Sequence, residues 1–95
     1  MKTIISTPKA PSAIGPYNQA TAFDKLIFTS GQIALDPTTM EIVAGGVQEQ
    51  TKQVMENLKA VLEEAGSSFE NVLKTTCYLS DMDNFVAFNE VYSLH

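Results

Sequence analysis

Few side chains in this sequence are suited to chemistry, and two stretches hold most of them. Lys25 to Leu35 reads Lys-Leu-Ile-Phe-Thr-Ser-Gly-Gln-Ile-Ala-Leu, a run of strand formers broken at Ser30-Gly31 and resumed at Ile33. A glycine inside a strand pattern marks a bulge, or a place where something approaches the backbone closely. Ser30 sets a hydroxyl beside it. Two readings fit: a kinked core strand with a satisfied serine, or a small-molecule contact. The second stretch is Ala13-Ile14-Gly15-Pro16-Tyr17. Pro8, Pro11, Gly15 and Pro16 force an ordered but irregular loop, from which Tyr17 emerges on a stiffened backbone. Its ring suits half-buried packing with the hydroxyl at the surface, and equally a positioned hydrogen-bond donor.

Composition removes several other chemistries. The 95 residues hold one cysteine, one histidine, eleven acidic residues and six lysines, with no arginine and a net charge of −5. Such a chain has little with which to neutralise phosphates, so nucleic-acid binding and RNA cleavage fit poorly. One His and one Cys do not make a metal site of ordinary spacing, and the carboxylates show no cluster, so neither metal nor cofactor is expected. A Ser-His pair would have to recruit His95, the last residue. The glycines form no phosphate-binding pattern. Cys77 lies in an apolar run and reads as a buried structural thiol that excludes an internal disulfide. No stretch is apolar enough for a signal peptide or membrane span, so the expected address is the cytoplasm. What remains is polar but does not titrate near neutrality: Tyr17, Ser30, Asn89 and the Gly31 backbone. That set suits recognition, or a reaction that needs orientation more than proton abstraction.

The elements that must position these residues fit one domain over residues 1–95. Thr3 to Ser6 predicts a short strand. Asn18 to Phe23 and Leu26 to Ile33 predict an antiparallel hairpin turning at Asp24-Lys25. A turn at Asp36-Pro37 and an extended piece near Glu41 to Ala44 follow. Gly45-Gly46 precedes the clearest helix, in which Val47, Thr51, Val54, Met55, Leu58, Val61, Leu62 and Ala65 recur at helical spacing as a core stripe. Gln48, Glu49, Lys52, Gln53, Glu56, Lys59, Glu63 and Glu64 form the solvated face, with Glu49–Lys52 and Glu56–Lys59 spaced to pair. Gly66 is the stop signal. Ser67-Ser68-Phe69-Glu70 has capping-box spacing for one short turn. Val72 to Leu79 predicts a fourth strand. Asp81 is placed to cap a second helix from Met82, with Phe85, Phe88, Val91 and Tyr92 inward and Asn89 toward the sheet edge. This order describes an α+β sandwich with both helices on one sheet face. The fourth strand, reached by a helical crossover, runs parallel to an earlier one and makes the sheet mixed, though mostly antiparallel.

With these residues in place, the chain resembles the RidA/YjgF reactive-intermediate deaminases. The matching features are Ala13-Ile14-Gly15-Pro16-Tyr17, Phe28-Thr29-Ser30-Gly31-Gln32-Ile33, Val47 with Gln50-Thr51, and Asn57-Leu58. Val72, Lys74-Thr75-Thr76, Asp81-Met82-Asp83-Asn84-Phe85, and Asn89 with Tyr92 complete them. They run the length of the chain in order. Met40 departs from the glycine common in the loop after Pro37. The resemblance implies a chorismate-mutase-like fold, assembled as a homotrimer with sites in the clefts between subunits. It further implies hydrolysis of enamines and imines, such as 2-iminobutanoate and 2-iminopropanoate, to 2-oxo acids and ammonia. Tyr17 and Ser30 are then expected to be catalytic, and Gly31 and Asn89 to bind the substrate, an imino or keto acid. The family pattern goes on to two further strands, a carboxylate-binding arginine and a glutamate near the attacking water, which this sequence does not contain. The expectation is therefore a domain incomplete at its C-terminus, with impaired activity. A non-enzymatic module that binds small carboxylates or clients is the alternative.

Overall fold

The computed structural model describes residues 2–13, 18–24, 26–72, 77, 79 and 82–94. Three short strands, β1 (Lys2–Ile5), β2 (Ala20–Phe23) and β3 (Leu26–Thr29), form a sheet in that order. Both pairings are antiparallel. β2 and β3 make a two-residue hairpin with Phe23 opposite Leu26, and Asp24 at φ +54° takes the left-handed conformation that such a turn requires. The predicted mixed sheet depends on the fourth strand, and residues 73–76 and 78 lie outside the described residues.

The register sorts the side chains into two faces, because successive residues of a strand point to opposite sides. Ile5 pairs with Ala20, and Ala22 with Ile27, on one face. That face meets the long helix α1 (Val47–Glu64), and Ile5, Ala10, Ala20 and Val61 form a buried cluster between them. The opposite face carries Ile4, Phe23, Leu26 and Phe28, all at least half exposed. The second helix, α2 (Phe85–Tyr92), enters through a 3₁₀ turn at Met82–Asn84 and lies against α1. Gln48 joins the two helices, donating to the Ala87 carbonyl at 3.3 Å and to Glu90 Oε2 at 2.9 Å.

α1 follows the expected stripe. Thr51, Met55, Val61 and Leu62 are buried, as is Asn57, which the apolar pattern left out. Gly66 ends the helix at φ +80°; its N–H reaches the Glu63 carbonyl and that of Ser67 reaches the Leu62 carbonyl, a Schellman closure. At the other end Glu49 accepts from the Gly46 N–H at 3.0 Å, so its carboxylate satisfies the helix start and not Lys52. Lys59 lies 3.8 Å from Glu63, one turn further along the helix, where Glu56 was the expected partner. Gln48 and Gln53 leave the solvated face: both are half-buried, Gln48 against α2 and Gln53 against Asn57. The Ser67–Glu70 stretch makes one 3₁₀ turn, Phe69–Asn71, but Ser68 supplies no side-chain cap.

Three expectations need correction. β3 stops at Thr29, not Ile33, because the Ile33 carbonyl accepts from Leu35 N–H and from the Asn57 amide in place of a sheet neighbour. Phe85 is 49% exposed: the docked stripe of α2 is Ala87, Phe88, Val91 and Tyr92, and at 3.6 residues per turn Phe85 sits about 90° from its centre. Phe88 and Tyr92 stack within that stripe, with ring centroids 5.2 Å apart. Cys77 is exposed and not buried, since the cluster under α1 closes on Ile5, Ala10, Ala20 and Val61 without reaching it. The capping role expected of Asp81 falls outside the described residues.

Candidate functional site

Ser30 and Gly31 leave the end of β3 where the hairpin loses its strand geometry. Two bonds tie Ser30 back to the start of β2. Its N–H donates to the Gln19 carbonyl at 3.0 Å, and its hydroxyl donates to the Asn18 carbonyl. A serine hydroxyl has one hydrogen and two lone pairs, so with the hydrogen committed to Asn18 the two lone pairs are what Oγ offers a ligand. Gly31 is exposed, and a Cβ built on it would meet nothing within 4 Å. The chain itself therefore does not demand a glycine there, and the open space beside it leaves room for close approach to the backbone.

Gln19 is the anchor of the proline-rich loop. It is buried, and its side chain is surrounded by backbone. Oε1 accepts from Thr7 N–H, while Nε2 faces the carbonyls of Thr7 at 3.0 Å, Ala10 at 3.2 Å and Pro11 at 2.7 Å. Prolines remove donors and leave carbonyls without sheet partners, and one carboxamide meets that need at Thr7, Ala10 and Pro11. A cavity of about 310 Å³ opens beside this network, lined by Ile5, Thr7, Pro8, Ser12, Asn18 and Gln19 among others. Ser30 meets its wall through the carbonyls of Asn18 and Gln19.

On the other side, Asn57 of α1 is fully buried and donates through Nδ2 to the carbonyls of Ile33 at 3.1 Å and Leu35 at 2.9 Å. Its Oδ1 accepts from Gln53 Nε2 at 2.9 Å. Pattern reading passed over Gln19 and Asn57. Asn57 carried a usable signal, since it lies three residues after Val54 and four before Val61, a polar residue on the apolar stripe. Gln19 carried none, because the bend that turns it inward breaks strand alternation.

Of the four expected site residues, Ser30 and Gly31 stand together at the β3 end. Asn89 lies on α2, exposed, its carbonyl accepting from Ser93 N–H at 3.0 Å. Tyr17 lies outside the described residues. Among the described residues no group of three or more His, Cys, Asp or Glu could hold a metal ion, and no helix is long and apolar enough to cross a membrane.

Comparison with known proteins places this geometry. A family model described as endoribonuclease L-PSP matches residues 7–95. A RutC family protein of Pyrococcus abyssi is 55% identical over 92 residues, which are 97% of this chain and 72% of the relative. The 2-iminobutanoate/2-iminopropanoate deaminase of Mus musculus is 48% identical over all 95 residues, 70% of its own length. Among solved structures, E. coli TdcF with bound serine is 43% identical with a TM-score of 0.93, covering 97% of this chain and 72% of that one. A RidA from Psychrobacter is 41% identical with a TM-score of 0.92, covering 97% and 74%. A family model over residues 7–95 and relatives this similar along nearly the whole chain lead to one conclusion: the protein belongs to the endoribonuclease L-PSP family, among the RidA and RutC proteins.

Proposed function

We propose that this protein hydrolyses reactive imines and enamines of the 2-iminobutanoate and 2-iminopropanoate class to 2-oxo acids and ammonia. The observation that carries the reading is the Ser30–Gly31 turn, where a lone pair on Oγ stands beside an open backbone position. The 48% identity to the mouse deaminase supports it. An iminium carbon is already electrophilic. Water adds to it to give a carbinolamine, and loss of ammonia leaves the ketone, so the protein must chiefly place the water and exclude bulk solvent. Ser30 Oγ accepts a hydrogen bond from the iminium N–H or from the incoming water. Tyr17 orients the second partner, the Gly31 backbone approaches the substrate, and Asn89 supports the wall of the cleft. No cofactor or metal enters these steps.

The reading includes a homotrimer in the cytoplasm, with the site completed between subunits. Ile4, Phe23, Leu26 and Phe28 on the uncovered sheet face are 50–62% exposed, an apolar area of the kind that subunits bury. The test is release of 2-oxobutanoate from enzymatically generated 2-iminobutanoate, with semicarbazide trapping of the free imine. Turnover above buffer supports the proposal, and buffer-rate hydrolysis overturns it. Sedimentation should give the mass of three 10.4 kDa chains. A second reading, a carboxylate-binding module without catalysis, is favoured by the serine bound to TdcF. Amide shifts at Ser30 with 2-oxobutanoate, without turnover, would select it.

A further inference from the structure

We infer that Asn57, oriented by Gln53, is a positioning residue for the Ser30–Gly31 turn, an inference that rests on the proposed role of that turn. Position 57 lies on the buried stripe of α1, where an apolar side chain would carry no desolvation cost. The carboxamide found there uses both of its hydrogens on one short segment, at Ile33 and Leu35. Its orientation is settled by its partners, because the flipped amide would set Oδ1 against two carbonyl oxygens and Nδ2 against the Gln53 donor. The Ile33 carbonyl also accepts from Leu35 N–H at 2.8 Å, closing a tight turn at Ala34. Ala34 in turn accepts from Val43 N–H at 2.9 Å.

Ser30 is fixed from the sheet side by Asn18 and Gln19, and Ile33 from the helix side by Asn57. Only Gly31 and Gln32 lie between these two clamps. Glycine samples more backbone conformations than any other residue, so a segment containing it and held at one end alone would spread over many geometries. Binding or reaction would then bear the cost of ordering it. Asn57 touches no substrate in this scheme. It acts through the backbone of residues 30–35.

The test compares wild type with Asn57→Asp, which keeps the shape and removes the donors, and with Gln53→Met, which removes only the orienting bond. Gln53 is half-buried where Asn57 is fully buried, so its replacement should disturb the fold less, and this variant decides the matter if Asn57→Asp does not fold. Amide exchange at Ser30, Leu35 and Val43 should quicken about tenfold, while Gln50 and Ala65 of α1 change by less than about twofold. Trapped-imine assays should show kcat falling about tenfold in Asn57→Asp and less in Gln53→Met, with KM changing little. Uniform acceleration of exchange across α1 and the turn, or no acceleration at Ser30, overturns the inference. If wild type neither hydrolyses imine nor responds to 2-oxobutanoate, the proposed function fails, and the exchange contrast still decides whether Asn57 holds the turn.

Discussion

The Ser30 hydroxyl spends its only hydrogen on the Asn18 carbonyl, across the point where β2 and β3 part. The bond fixes the side chain and decides its polarity toward a ligand. Ser30→Ala removes one partly buried hydrogen bond, so unfolding in urea should register a loss of about 0.5–1.5 kcal/mol. The effect on imine hydrolysis should be larger than that loss suggests, a fall of about tenfold to a hundredfold in kcat/KM, because the lone pair that meets substrate or water is also gone. An alanine variant with wild-type turnover would remove Ser30 from the reaction.

Gly31 separates structure from function more cleanly. A Cβ there meets nothing within 4 Å, and the backbone is not in the left-handed region, so Gly31→Ala should leave stability unchanged or raise it by about 0.4–1 kcal/mol through the unfolded state. If the open space is where a ligand meets the backbone, the same methyl group should weaken binding of 2-oxobutanoate at least about tenfold. Equal affinity in the variant would show that the glycine serves only the fold.

How far these features could be read in advance depended on whether the signal was local. The Val47–Ala65 stripe, the Gly66 stop and the Asp24 turn are each written in neighbouring residues, and the structure follows them. The break at Ser30-Gly31 was visible for the same reason. The place of Asn57 on the apolar stripe was local too, but its partners and those of Gln19 were not, because a buried carboxamide declares its role only once distant carbonyls come to it, those of residues 33 and 35 or 7, 10 and 11. The exposure of Cys77 and Phe85 likewise depends on which surfaces α1 and α2 cover, which periodicity within one element does not contain.

Met40 stands where the resembling family commonly has glycine, and its φ of +59° gives the physical reason for that preference. Its N–H donates to the Asp36 carbonyl at 2.8 Å, and Asp36 Oδ1 accepts from Thr38 N–H, so the turn is held by its neighbours. A side chain with a Cβ takes this conformation at a cost of about 1 kcal/mol. Met40→Gly should therefore raise the urea midpoint, by an amount equivalent to about 0.5–1 kcal/mol, with the slope unchanged. A lower midpoint would mean that the packing of the half-buried Met40 side chain outweighs the relief of strain.

Gly45 and Glu49 are coupled at the start of α1, and a double-mutant cycle should expose the coupling. Gly45 has φ +113°, and a Cβ there would lie 2.7 Å from Glu49 Cγ and 2.9 Å from its Cδ. Glu49 cannot simply swing away, because its carboxylate accepts the Gly46 N–H that the helix leaves without a partner. Gly45→Ala should thus lose about 2 kcal/mol, backbone strain and clash together. Glu49→Ala removes the cap and its favourable charge at the helix start, about 0.5–1 kcal/mol. In the double variant the contacts with Cγ and Cδ are gone, while the strain, the lost cap and the 3.0 Å approach to the retained Cβ of residue 49 remain. Its cost should fall short of the sum of the single variants by about 0.5–1 kcal/mol, measured by urea unfolding. Strict additivity would show that the left-handed backbone alone, and not contact with Glu49, requires the glycine.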